Sequence, residues 1–151
     1  ALYHNSGTLY DYVIIDCPPS LSLLTIMALV ASDELVVPLQ AEFFALEGLT
    51  QLMKTIERIK LKLNPILEIR GILLTMYDRR NKLSGEVEVE ARNYFKEKVY
   101  STVVPRNVRL SEAPSHGMPV LHYDRTCPGS IAYLKFTDEF MRQDNKVESA
   151  A

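Results

Sequence analysis

Asp16 closes a β-branched apolar run, Val13-Ile14-Ile15, and the chain then breaks at once into Cys17-Pro18-Pro19-Ser20. A buried parallel strand reads as a continuous hydrophobic run, and ligands of such sheets gather outside the strands' carboxyl ends. A carboxylate at that point either organises a magnesium ion or forms the turn. Comparable polar ends follow other apolar runs: Gln40-Ala41-Glu42, Asp78-Arg79-Arg80-Asn81 and Pro105-Arg106-Asn107-Val108-Arg109. One strand-end acid with several arginines and amide groups suits a phosphate-bearing ligand better than a sugar or a bare metal ion. Yet no glycine-rich phosphate loop stands anywhere in these 151 residues.

Other reactive groups carry less. Ser111, Glu112, Ser115 and His116 supply hydroxyl, acid and imidazole. Within one short loop such groups usually make capping hydrogen bonds, whereas a hydrolytic triad is assembled from distant segments. A Cys17–His116 nucleophile pair is the other hydrolytic reading, and nothing marks that thiol as activated. Cys17 and Cys127 lie far apart, without metal-ligand spacing, and fit a reduced, cytoplasmic protein. A hydrophobic fraction of 47% and a charged fraction of 24% are those of an ordinary globular domain. The net charge of −2 leaves any nucleic-acid binding to a local basic patch. No apolar run approaches the roughly 18 residues needed to cross a bilayer, so neither a membrane role nor a signal peptide is expected.

The elements that must position these groups follow from periodicity. Residues 12–16 read as a strand and residues 21–31 as a helix, with Leu21, Leu24, Met27, Ala28 and Ala31 on its inner face. Residues 34–39 read as a second strand. A long amphipathic helix over 44–63 is stopped by Asn64-Pro65. A third strand over 69–76, a helix over 84–98 and a fourth strand over 99–104 follow. After them come a polar loop or short helix over 106–117, an apolar piece over 120–123 and a closing helix over 129–142. Strands alternating with helices of this length imply right-handed crossovers and a mostly parallel α/β sheet with helices on both faces. The expected organisation is one domain over 1–142 and a flexible tail over 143–151.

Four segments in order resemble signatures of the ParA/Soj chromosome- and plasmid-partitioning ATPases. They are Tyr10-Asp11-Tyr12-Val13-Ile14-Ile15-Asp16-Cys17-Pro18-Pro19-Ser20-Leu21, then Glu42-Phe43-Phe44-Ala45-Leu46-Glu47-Gly48-Leu49, then Gly71-Ile72-Leu73-Leu74-Thr75-Met76-Tyr77-Asp78. The last runs from Val104-Pro105-Arg106-Asn107-Val108-Arg109 through Leu110-Ser111-Glu112-Ala113-Pro114-Ser115-His116-Gly117. The resemblance implies a P-loop NTPase-like fold that uses ATP and magnesium, forms a homodimer on ATP, binds DNA without sequence preference and answers to a ParB-type partner protein. It implies that Asp16 is the Walker B acid holding magnesium through a water, and that Cys17, Pro18, Pro19 and Ser20 belong to switch II. Pro105 and Asn107 fall where the family meets the adenine, and Arg80 and Arg109 where it meets the DNA backbone. Arginine reads phosphate oxygens bidentately, which suits that role. Arg79, Lys82, Arg106 and Arg125 extend the basic stripe, and Arg79 stands where the family more often has a small residue.

The family's phosphate loop lies upstream of the Walker B strand, so the 151 residues are expected to be the carboxyl-terminal portion of such an ATPase. Phosphoryl transfer is nearly all positioning and charge stabilisation by that loop and its metal. This chain alone is therefore expected neither to bind ATP tightly nor to hydrolyse it. The strand of the phosphate loop lies beside the Walker B strand in that fold, so Val13–Asp16 is expected to lack a backbone partner and to invite pairing with another chain. The alternative reading is a degenerate, non-catalytic module of the same fold that binds DNA or a partner through Arg80 and Arg109.

Overall fold

Short apolar runs separated by polar turns fold, in a computed structural model, into five strands and six α-helices among the described residues. They are β1 (Tyr3–His4), β2 (Gly7–Thr8), α1 (Leu23–Ala31), β3 (Glu34–Gln40), α2 (Ala45–Lys62), β4 (Glu68–Tyr77), α3 (Lys82–Phe95), β5 (Val99–Pro105), α4 (Val108–Glu112), α5 (Val120–Tyr123) and α6 (Pro128–Glu148). The structure describes residues 10–148 except Pro19 and Leu21, together with Tyr3, His4, Gly7 and Thr8. Single 3-10 turns cover Lys96–Lys98 and Ala113–His116. β1 and β2 pair antiparallel, apart from the main sheet.

The main sheet is parallel, in the order β3-β4-β5. Side chains alternate across it, as the pleat requires. On one face Val37, Leu39, Ile72, Leu74 and Val99 bury themselves against Leu49 of α2 and Ala91 of α3. On the other, Leu73, Tyr100 and Val104 pack on Ala132 of α6, with Phe136 and Phe140 beside them. Helices therefore cover both faces, as the alternating pattern implies. Gly71 is what allows the second face to close, because a Cβ there would lie 2.4 Å from the Tyr100 ring. Ala41 N–H donates to Thr75 O at 3.1 Å, which sets the phase of β3 and turns Pro38 outward. A residue without an N–H there leaves the ladder to β4 intact.

Three expectations are corrected. The strand expected over residues 12–16 is not formed: residues 13–16 join no sheet among the described residues, and Ile14 is 91% exposed. A β-branched run becomes a strand only where a second backbone meets it, and the described residues bring none to it. The inner face of α1 is Thr25 and Leu29, the latter packed on Ile56, Ile59 and Leu67, while Leu24 and Met27 face out. This helix is apolar on both sides, so periodicity alone does not choose between them. The closing helix, expected to end at Arg142, continues to Glu148; residues 149–151 lie outside the described residues.

Candidate functional site

The exits of β3, β4 and β5 form one edge, as parallel strands must. Backbone bonds zip the three loops together. Ala41 N–H donates to Thr75 O, and Arg106 N–H donates to Tyr77 O at 3.0 Å. Buried Ser84 reaches from the first turn of α3 to Ala41 O at 3.2 Å. Met76, next to the end of β4, has φ 53°, a left-handed conformation that a non-glycine residue rarely holds. It coincides with a shift of register between Leu74 and Tyr77 against β5. The kink lets the Tyr77 carbonyl take the Arg106 amide.

Asp78 begins the basic turn. Its carboxylate accepts from Arg80 Nε and Nη2, each at 3.1 Å, and from the Arg80 amide at 3.0 Å. Those hydrogen bonds hold the Asp78 carboxyl below its ordinary range and raise the Arg80 guanidinium. Asn81 then caps α3, its side chain accepting from Leu83 N–H at 3.1 Å. Behind the turn, the Glu88 carboxylate beside the Tyr77 phenol raises the pKa of that hydroxyl.

After β5, Asn107 caps α4 by accepting from Arg109 N–H at 2.9 Å. Pro105 is the last residue of β5, in register with Tyr77. Arg109 Nη1 lies 2.8 Å from Glu112 Oε2, and Nε lies 3.6 Å from Asp124 Oδ2. The guanidinium stands 6.0 Å from the Tyr123 ring, whose hydroxyl is 3.3 Å from the same Glu112 oxygen. The hydrogen bond to Glu112 is the main cause that raises the Arg109 pKa.

The structure thus places Pro105 at the end of β5, Asn107 and Arg109 at the start of α4, and Arg80 in the turn after β4, all at the same sheet edge. Asp16, Cys17, Pro18 and Ser20 lie on the exposed segment ahead of α1, and Pro19 lies outside the described residues. Ser20 O accepts from Thr25 Oγ1 at 2.7 Å, and Ser22 caps α1. Ser115 Oγ donates to Glu112 O at 2.6 Å and His116 stacks on Tyr123, so both serve local structure. Among the described residues no three His, Cys, Asp or Glu side chains gather as a metal site. Asp16 stands exposed. These residues by themselves do not fit magnesium and a triphosphate, and no hydrolytic step follows from them. The pairing of Asp78, Glu112 and Asp124 with the two arginines is not among the expectations from the sequence. Two of these acids sit within three residues of their arginine, which is the signal that was there to be read.

A parallel sheet sheathed by helices, with phosphate-suited groups at its carboxyl edge, is a P-loop NTPase-like fold. Cobyrinic acid a,c-diamide synthase from Mycobacterium smegmatis, with bound ATP analog and magnesium, matches with a TM-score of 0.70 and 33% identity. That match covers 90% of this chain and 48% of the synthase. A family model for an AAA domain matches residues 4–69. The chromosome partitioning protein ParA of Caulobacter vibrioides is 59% identical over 142 residues, 94% of this chain and 53% of that protein. The chromosome-partitioning ATPase Soj of Treponema pallidum is 50% identical over 137 residues, 91% of this chain and 54% of Soj. The chain is a relative of the ParA/Soj partitioning ATPases along nearly its whole length, and it spans about half of theirs. No helix among the described residues is long and apolar enough to cross a membrane.

Proposed function

We propose that this chain is the carboxyl-terminal part of a ParA/Soj-type partitioning ATPase and carries that enzyme's DNA-facing edge. The observation that supports this reading best is the gathering of Arg79, Arg80 and Lys82 after β4 with Arg106 and Arg109 after β5. Contacts of this kind to phosphate oxygens need no base-specific geometry, so the DNA would be bound without sequence preference. Asp16 is the Walker B acid, Cys17 to Ser20 are switch II, and Pro105 and Asn107 meet the adenine. In the whole enzyme ATP and magnesium bring two copies together, and a ParB-type partner triggers hydrolysis and release. The 151 residues alone neither hold ATP tightly nor hydrolyse it, because they include no phosphate loop.

The misfit of magnesium and triphosphate to the residues present favours one further reading, a non-catalytic module that keeps only DNA or partner contacts. Duplex DNA of arbitrary sequence, titrated at low salt, tests the shared part of both. Weak, salt-sensitive binding that drops in Arg80→Ala and Arg109→Ala is expected. Binding indifferent to both substitutions would remove DNA as the ligand of this edge.

A further inference from the structure

The two arginines expected to grip phosphate already hold carboxylates. Arg80 is forked onto both Asp78 oxygens although its side chain is 91% exposed. Arg109 is clasped by Glu112 and approached by Asp124. Among the described residues, Arg79, Lys82, Arg106 and Arg125 on the same edge make no ion pair. The pairing therefore singles out two cations from a stripe of six. A carboxylate in the guanidinium fork occupies the geometry that a phosphate would take, and it cancels the charge that would attract one.

We propose that Asp78 and Glu112 are built-in competitors for the DNA phosphates at Arg80 and Arg109. This rests on the DNA-contact reading above and adds its regulation. A phosphate that docks on the clasped nitrogens (Nε and Nη2 of Arg80, Nη1 of Arg109) displaces a carboxylate already in place, and one on the open N–H groups meets a charge already offset, so the surface binds weakly and releases readily. The same clasp keeps both guanidinium groups oriented while no DNA is bound. Each acid makes its ion pair with its own arginine. Asp78 also shapes its turn by accepting the Arg80 amide, and Glu112 also accepts from the Tyr123 hydroxyl.

Asp78→Asn and Glu112→Gln remove the charge and keep an acceptor for those bonds. Exposed pairs of this kind are weak, so each substitution is expected to tighten DNA binding about two- to five-fold. A plain loss of negative charge would also tighten binding, and a double-mutant cycle separates the two causes. Competition requires that Asp78→Asn gain nothing in an Arg80→Ala background, and Glu112→Gln nothing in an Arg109→Ala background. Equal tightening in those backgrounds, or none in the wild type, would overturn the proposal. Asp78→Ser, which keeps a hydroxyl acceptor for the turn, provides a second uncharged variant should Asp78→Asn fold poorly. If binding falls with Arg80→Ala and Arg109→Ala but the cycles show no coupling, competition alone fails. If no variant binds DNA at low salt, the DNA reading fails and competition with it.

Discussion

Arg80 and Arg106 leave the same sheet edge in different company: Arg80 is forked onto Asp78, while Arg106 makes no ion pair among the described residues. A cation that neutralises one DNA phosphate contributes about 0.9 to the slope of log affinity against log salt. Arg106→Ala should therefore flatten that slope by about 1 and weaken binding alike for all sequences; anisotropy over a salt series reads it directly, and an unchanged slope would take Arg106 out of the contact. Much of this was readable beforehand, since the arginines, Asn107 and Pro105 were all placed by following each apolar run to its end. Their acid partners were harder. Asp78 and Glu112 stand close in sequence to the arginines they hold, but Asp124 approaches Arg109 only because α5 folds back beside α4, a non-local fact that no spacing encodes.

Asn64, expected only to help stop a helix, joins two elements. Its side-chain amide, buried, donates to Leu29 O at 3.0 Å and Ser32 O at 2.7 Å, closing the carboxyl end of α1 onto the turn before β4. Truncation to alanine strands those carbonyls, so Asn64→Ala should cost about 1–3 kcal/mol in urea unfolding. At the far edge of the sheet, Glu139 of α6 accepts the Ser101 and Thr102 amides of β5 at 2.6 and 2.9 Å. Partial burial raises its pKa, but the bonds from those two residues outweigh it and hold the carboxyl below 4.5. A lowered folded value gives stability that is complete above the unfolded pKa and is lost as pH falls through the folded one. Glu139→Gln should thus be less stable than wild type at neutral pH, and the gap between their urea midpoints should close below about pH 4.5. Strands β3 to β5 were legible because their apolar runs meet one another in the sheet. Residues 13–16 have the same apolar character but meet no ladder among the described residues, so local pattern and final structure part there.

The whole molecule leaves unusual apolar surface in water: Ile14 on the segment before α1, Leu23, Leu24 and Met27 on α1, and Phe43 and Phe44 after β3. Exposed apolar surface of this extent marks an interface or an association hazard. The 151-residue chain is expected to self-associate, so light scattering should show an apparent mass that climbs with concentration, whereas a monodisperse monomer at high concentration would contradict this. On the function proposed above, these residues are the half of a partitioning ATPase that works on nucleotide only once a phosphate loop is supplied. Titration with magnesium and ATP tests it most directly, on the chain as it stands and on a fusion preceded by the amino-terminal half of the Caulobacter vibrioides relative. The account predicts no tight binding by the chain alone, micromolar binding with hydrolysis by the fusion, and loss of that hydrolysis on Asp16→Ala. Micromolar binding by the 151 residues themselves, or a hydrolysing fusion indifferent to Asp16→Ala, would contradict it.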